Sequence, residues 1–214
     1  MNILGVMCSP RKWGNSWLLL EEALSGAKEH GANTEMVTLV EMELLPCDGC
    51  FTCQKTQHCH IKDDMRDIYP KVLAADGIIF ATPVYFLNVS GQAKIFIDRL
   101  YPLYREYKLA NKVGGTIAVA TRLGLSQVWN FFDFFFAING MIAADFVAGF
   151  GTEKGDVKRD KHAMKAAREL GHLVTSIAEK GFKLPEEYNQ TLHRYVASKY
   201  GIDDSPVGDR FERP

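Results

Sequence analysis

Short apolar runs alternate with helical patterns along most of this chain, and no other feature constrains its fold as tightly. Asn2–Met7 is the first run, ended by Ser9-Pro10. Trp17, Leu20, Leu24 and Ala27 follow at helical spacing, and Gly31 stops that helix. Thr34–Leu39 reads as the second strand, Gly77–Thr82 (GIIFAT) as the third, Gly115–Thr121 (GTIAVAT) as the fourth and Met141–Phe150 as the fifth. Between them, Met65, Ile68, Val72 and Leu73 mark a helix that Pro70 either kinks or delays. Gln92–Leu100 places Ala93, Phe96, Ile97 and Leu100 on one face, Gln127–Asn139 is a very aromatic helix, and Asp160–Gly181 is a long one. Buried strands alternating with helices predict an α/β fold, an open, doubly wound, five-stranded parallel sheet covered on both faces. Ligands of such sheets sit beyond the carboxyl ends of the strands, near the point where strand order reverses. One domain over residues 1–182 is expected, followed by a polar tail, 183–214, that reads as an assembly arm.

Composition narrows the function classes. Hydrophobic residues make up 47 % and charged residues 24 % of the 214 positions, enough apolar surface for a full core and against a disordered chain. Lys plus Arg number 25 against 26 Asp plus Glu, so the basic excess of a nucleic-acid binder is missing. The basic cluster Lys154, Lys158, Arg159 and Lys161 is interleaved with Asp156 and Asp160 and reads as a solvated face. The apolar runs are strand-sized, so no membrane span is expected, and Met1–Met7 reads as a strand rather than a secretory signal. A cytoplasmic, reducing location is therefore expected. Asp98-Arg99 is expected to form a helix-surface or interhelical ion pair.

Two loops carry binding chemistry. After the first strand comes Cys8-Ser9-Pro10-Arg11-Lys12-Trp13-Gly14-Asn15-Ser16, running straight into a helix. Ser9 and Ser16 offer hydroxyls, Gly14 permits close backbone approach and Arg11 adds a cation, which together suit a phosphate at a helix N-terminus. A plain turn with Asn15 or Ser16 as N-cap is the other reading. Neither Gly-x-Gly-x-x-Gly nor a Walker A pattern is present. After the third strand comes Thr82-Pro83-Val84-Tyr85-Phe86-Leu87-Asn88-Val89-Ser90-Gly91-Gln92. Its adjacent aromatics and Asn88 suit a flat ring with polar edges, although Tyr85 and Phe86 could equally pack into a core.

Together these two loops resemble those of the flavodoxin-like NADPH-dependent FMN reductase family, over roughly Met1 to Phe150, with TPVYFLNVSGQAKIFIDR the more specific segment. The resemblance implies FMN bound through Ser9, Arg11, Asn15, Ser16, Pro83, Val84, Tyr85, Phe86 and Asn88. It also implies contacts from Thr121 and Gly124 on the third loop, Ala120-Thr121-Arg122-Leu123-Gly124, which holds fewer glycines than the family's usual loop.

The remaining signal is a thiol cluster. Cys47, Cys50, Cys53 and Cys59 are spaced C-x2-C-x2-C-x5-C within a polar, turn-rich segment, 45–64. The C-x2-C-x2-C run is a hallmark of iron–sulfur ligation, and a fourth thiol nearby suits a single 4Fe–4S cluster. A structural zinc site more often uses two separated C-x2-C knuckles. His58 and His60 flank Cys59 as possible replacement ligands or supporting groups, and Cys8 carries no assigned role. With this motif placed after the second strand, the chain resembles the iron–sulfur flavoprotein family, which implies that all four cysteines are cluster ligands.

An electron-transfer oxidoreductase with FMN and a 4Fe–4S cluster is the expectation, coupling one-electron and two-electron transfer. Its redox partner would be ferredoxin or a small molecule, with NAD(P)H as a further possibility. The alternatives are a NAD(P)H-dependent FMN or quinone reductase, a small-molecule dehydrogenase, and a non-enzymatic zinc module. The helix around Trp129-Asn130-Phe131-Phe132-Asp133-Phe134-Phe135-Phe136 is apolar almost all round, which predicts burial against a second subunit, and the resemblance implies a homodimer or homotetramer.

Overall fold

The computed structural model describes residues 1–201. Five parallel strands form one sheet: β1 (Asn2–Met7), β2 (Asn33–Thr38), β3 (Gly77–Pro83), β4 (Val113–Ala120) and β5 (Ile142–Phe150), in the order β2-β1-β3-β4-β5. That order is flavodoxin-like, with the switch point between β1 and β3. Register is continuous from Ile3↔Gly77 to Met7↔Ala81 across that central pair. The strands differ from expectation by a residue or two at their ends, where hydrogen bonding rather than hydropathy sets the boundary.

Side-chain alternation divides the core. Leu4, Val6, Ile78 and Phe80 point to one face, where α3 (Met65–Ala74), α4 (Gly91–Arg99) and α6 (Leu125–Ile138) cover them with Ile68, Val72, Phe96, Phe132 and Phe136. Ile3, Met7, Ile79 and Ile117 point to the other, under α1 (Asn15–Glu29) and α7 (Lys161–Glu179) with Leu19, Leu20, Ala23, Leu170 and Val174. These two helices touch so closely that a Cβ on Gly171 would lie 1.8 Å from the Ala23 carbonyl oxygen.

Three short α-helices and three 3-10 turns (Leu39–Glu41, Asp156–Arg159 and Glu186–Tyr188) complete the described residues. The thiol segment, expected to be irregular, contains α2 (Thr52–Thr56), and α5 (Tyr101–Arg105) follows α4 directly. The tail contributes α8 (Leu192–Tyr200), capped by the Thr191 hydroxyl, and its start is tied to the body by the Leu184 N–H donating to Asn111 Oδ1 at 2.7 Å. The rest of the expected arm, 202–214, lies outside the described residues. Pro70 sits inside α3, which starts at Met65 all the same.

The aromatic helix is not buried all round. Val128, Phe132, Phe135 and Phe136 are inside, while Trp129, Phe134 and Ile138 are 46 %, 72 % and 54 % exposed. Asp98 pairs on the helix surface with Lys94, as expected of a surface pair. Arg99, by contrast, turns inward and is 1 % exposed.

Candidate functional site

A cleft opens at the carboxyl end of the sheet, where ligands of open parallel sheets sit. Its walls come from Ser9, Arg11, Gly14, Asn15 and Ser16 after β1, from Pro83, Val84 and Tyr85 after β3, from Thr121 after β4, and from Gly151, Thr152 and Lys154 after β5. The strand ends thus bring together eight of the residues expected at the flavin.

The β1 loop is built for an anion. α1 begins after Gly14 and, like α2, α3, α5 and α6, has no side-chain cap, and its first residues Asn15 and Ser16 line the cleft. Its first-turn N–H groups therefore face the cleft with the positive end of the helix dipole. Ser9 and Ser16 are buried there. The Arg11 guanidinium is anchored through Nη1 donating to the Thr152 carbonyl at 3.1 Å, and the Arg11 N–H donates to Ser9 Oγ at 3.1 Å. Asn15 caps nothing in α1. Its Nδ2 donates to the Glu153 carbonyl at 2.9 Å and its Oδ1 accepts from the Gly155 N–H at 2.9 Å, so its amide fixes the β5 loop against the cleft. Lys154, read from the sequence as part of a solvated face, stands on the cleft wall, because the chain leaves β5 only four residues earlier.

The β3 loop is a tight turn. The Tyr85 N–H donates to the Asn88 carbonyl at 2.9 Å and the Asn88 N–H to the Tyr85 carbonyl at 3.1 Å. Phe86 and Leu87, between them, have φ of 44° and 67°, a mirror-image turn normally made by Asn-Gly. Bulky side chains there hold strained backbone, and Phe86 is left fully exposed beyond the cleft. Asn88 Oδ1 accepts from the Val89 N–H at 2.8 Å. Neither Phe86 nor Asn88 lines the cleft itself. Gly124 lies against this turn with φ of 97°, and a Cβ there would meet Val84 Cγ1 at 2.5 Å, so the third loop needs glycine to seat the second.

The thiol segment carries its cysteines at or near the surface. Cys47 and Cys50 are exposed, and Cys53 and Cys59 half-buried. Burial, then the neighbouring Cys59, Cys47 and Cys50, push the Cys53 thiol up. Mutually repelling thiolates of this kind are the donor set of a cation-rich core, so the residues fit an iron–sulfur cluster. Asp48 supports the loop: its Oδ1 accepts from the Cys50 N–H at 3.2 Å and its Oδ2 lies 2.7 Å from His60 Nε2. Hydrogen bonds from Cys50 and then His60 hold the Asp48 carboxyl below the usual carboxylate range. His60 is thus engaged by Asp48, and the donor atoms of Asp48, Cys50 and His60 lie within 4.8 Å of one another.

Sequence reasoning missed the base of this segment. Arg99, from the end of α4, donates through Nη1 to Asp63 Oδ2 at 2.6 Å and to the Leu45 carbonyl at 2.7 Å, and through Nη2 to Asp63 Oδ1 at 2.9 Å. Burial pushes Asp63 up, but hydrogen bonds from Arg99 and the Leu45 N–H outweigh it and hold the carboxyl below its ordinary value. Burial likewise opposes the Arg99 charge, and Asp63 with the nearby Cys59 more than restores it. Tyr69 Oη donates to the Arg99 carbonyl at 2.6 Å, and Gln54 Nε2 to Tyr101 Oη at 3.1 Å, so α3, α4 and α5 all brace the insert. Arg99 and Asp63 lie 36 residues apart, and only the "DR" ending of α4 signalled a paired charge.

Fold and site together define a class: a flavodoxin-like domain with an anion-ready cleft at its switch point and a four-thiol insert after β2. The sequence profile of the NADPH-dependent FMN reductase family matches residues 1–153. An iron–sulfur flavoprotein of Methanocaldococcus jannaschii is 40 % identical over 193 residues, covering 84 % of this chain and 98 % of the relative. One of Archaeoglobus fulgidus is 32 % identical over 198 residues, covering 92 % and 89 %. Among solved structures, RosB with a bound 8-demethyl-8-formylriboflavin-5′-phosphate superposes with a TM-score of 0.72 at 18 % identity, over 97 % of this chain and 88 % of the other, a likeness of fold. The chain belongs to the NADPH-dependent FMN reductase family and, within it, to the iron–sulfur flavoproteins. It is an FMN-dependent oxidoreductase with a role in electron transfer. Among the described residues, no helix is long and apolar enough to cross a membrane.

Proposed function

We propose that this protein holds one FMN in the cleft and one 4Fe–4S cluster on Cys47, Cys50, Cys53 and Cys59, and that it exchanges electrons between one-electron and two-electron carriers. The carrying observation is the C-x2-C-x2-C-x5-C run on the same chain as a cleft lined by hydroxyls, Arg11, Lys154 and an uncapped helix N-terminus. When bound, the flavin handles electrons singly or in pairs and the cluster handles them singly.

The chain's own residues hold and orient. Ser9, Ser16, Arg11 and the first turn of α1 would take the phosphate. Pro83, Val84 and Tyr85 would flank the ring, with Phe86, Asn88, Thr121 and Gly124 at its rim and Asn15 acting indirectly by fixing the β5 loop. No side chain in the cleft needs to move a proton for this role. The exposed Trp129, Phe134 and Ile138 supply the apolar face of a homodimer or homotetramer, and the tail is its assembly arm. A cytoplasmic location and a ferredoxin-type donor complete the reading.

Visible absorption of anaerobically purified protein, with iron, sulfide and flavin analysis, is the test. About four irons and four sulfides with one FMN per chain are expected from the four-thiol donor set. A colourless, zinc-containing protein would overturn the proposal. The family's description favours a second reading, NADPH as the donor. Steady NADPH oxidation with quinone would support it, and slow turnover with NADPH beside fast reduction by ferredoxin would support the carrier role.

A further inference from the structure

We propose that Arg99 is a positioning residue for the thiol insert: by clamping Asp63 and the Leu45 carbonyl together it closes the neck of the loop and presents Cys47, Cys50, Cys53 and Cys59 as one set before metal arrives. This deepens the four-cysteine reading above and rests on it.

The geometry is that of a saturated joint. Both side chains of the pair are 1 % exposed. Each Asp63 oxygen accepts twice. Oδ2 takes Arg99 Nη1 and the Leu45 N–H at 2.9 Å, and Oδ1 takes Arg99 Nη2 and the Met65 N–H at 3.2 Å. Leu45 is therefore held at both its N–H and its carbonyl, two residues before Cys47. Beside it a second pair of contacts joins the same two segments: the Glu43 N–H donates to Asp64 Oδ2 at 2.8 Å and the Asp64 N–H to the Glu43 carbonyl at 3.2 Å. The entry and exit of the insert are thus stitched to one another and to the end of α4.

A buried ion pair is a poor way to gain stability alone, because apolar residues of similar size often serve as well. Its use here is geometric. Only a planar fork reaches two carboxylate oxygens and a carbonyl at once, which a lysine cannot do. The joint also lies outside the sheet core, and it does not touch the cleft. At the other end of α4, Ser90 caps the helix and donates through Oγ to the Cys8 carbonyl at 2.6 Å, at the root of the β1 loop. One rigid helix therefore runs from the flavin-side loops to the neck of the thiol loop, fixing the insert relative to the cleft.

Arg99→Lys and Asp63→Asn, made in the full chain, test this. Iron release to a ferrous chelator should speed by about tenfold to a hundredfold, the usual effect of losing a supporting partner of a metal ligand, while FMN content stays at one per chain. Hydrogen exchange at the Leu45 amide, read whether or not iron is present, should lose its protection in Asp63→Asn. In Arg99→Gln loaded with cluster, losing a cation near Cys59 should make the cluster harder to reduce, a shift that a purely architectural role would not produce. If the single variants also lose FMN, the double variant Arg99→Met with Asp63→Leu decides. FMN kept with iron lost upholds the clamp. Iron and flavin both kept, or both lost, overturns it, as does wild-type chelator kinetics in the single variants. A wild-type chain that never binds iron would instead refute the four-cysteine reading, and the Leu45 exchange result would still judge the clamp.

Discussion

The cleft and the thiol insert, the two cofactor sites of the proposed function, are built by opposite means. The cleft is assembled from the ends of β1, β3, β4 and β5, so the central sheet itself sets the spacing of Ser9, Pro83, Thr121 and Thr152. The insert leaves the sheet after β2, leaves Cys47 and Cys50 exposed, and depends on one buried ion pair and a few hydrogen bonds at its neck. A site on a rigid scaffold tolerates loss of single contacts. One on an insert stands or falls with its ligands and its anchor. Perturbations of the two regions should therefore separate cleanly.

The largest effect belongs to the ligands. Cys50→Ala removes one of four thiols from an exposed segment that packs little of the core, so the cluster should be lost entirely and FMN retained. Iron and flavin analysis of the purified variant measures this, and full iron content would remove Cys50 from the ligand set.

Next comes the anchor, through its pH dependence. The folded-state carboxyl of Asp63 is depressed below its ordinary value, so its contribution is complete above the unfolded pKa and fades as pH falls through the folded one. Urea unfolding of wild type and Asp63→Asn should differ by about 3–5 kcal/mol at neutral pH, the scale for breaking one side of a buried pair. The difference should begin to close as pH drops below about 4, the ordinary aspartate value. A gap that stays constant down to pH 3 would assign the stabilisation to something other than the ionised pair.

The cleft should yield less to comparable damage. Ser16→Ala combined with Arg11→Ala removes a hydroxyl and a cation but leaves the uncapped first turn of α1 and Lys154 in place. FMN affinity should fall by about tenfold to a hundredfold, equivalent to one or two charge-assisted hydrogen bonds, with iron content unchanged. Fluorescence titration with FMN measures it, and unchanged affinity would move the phosphate elsewhere.

The same contrast explains what was legible in the sequence. Strand-sized runs such as GIIFAT and GTIAVAT are buried on both faces, so hydropathy alone located β3 and β4 and, with them, the loops at their carboxyl ends. The C-x2-C-x2-C spacing was legible because all four cysteines lie within thirteen consecutive residues. Contacts between distant segments were not. Asn15 looks like a cap or a ligand in the sequence and instead pins Glu153 and Gly155. Lys154 looks solvated until β5 brings it to the cleft. Arg99 follows Asp98 in sequence, yet helical geometry turns one to Lys94 on the surface and the other inward to Asp63. The aromatic helix is a further case: hydropathy on every side could not say which side the sheet covers, and packing against β4 and β5 leaves Trp129, Phe134 and Ile138 outside.

The smallest effect sits where the cleft stores strain. Leu87 occupies a left-handed conformation with φ of 67° and is 49 % exposed, so its side chain gains little from packing and its backbone opposes the turn. Asparagine accepts that conformation at lower cost, because its short polar side chain bonds locally. Leu87→Asn should therefore stabilise the chain by up to about 1 kcal/mol, the scale of one relieved left-handed residue. Thermal unfolding measures it, and a lowered midpoint would mean that the leucine side chain, rather than the turn it strains, is what this position contributes.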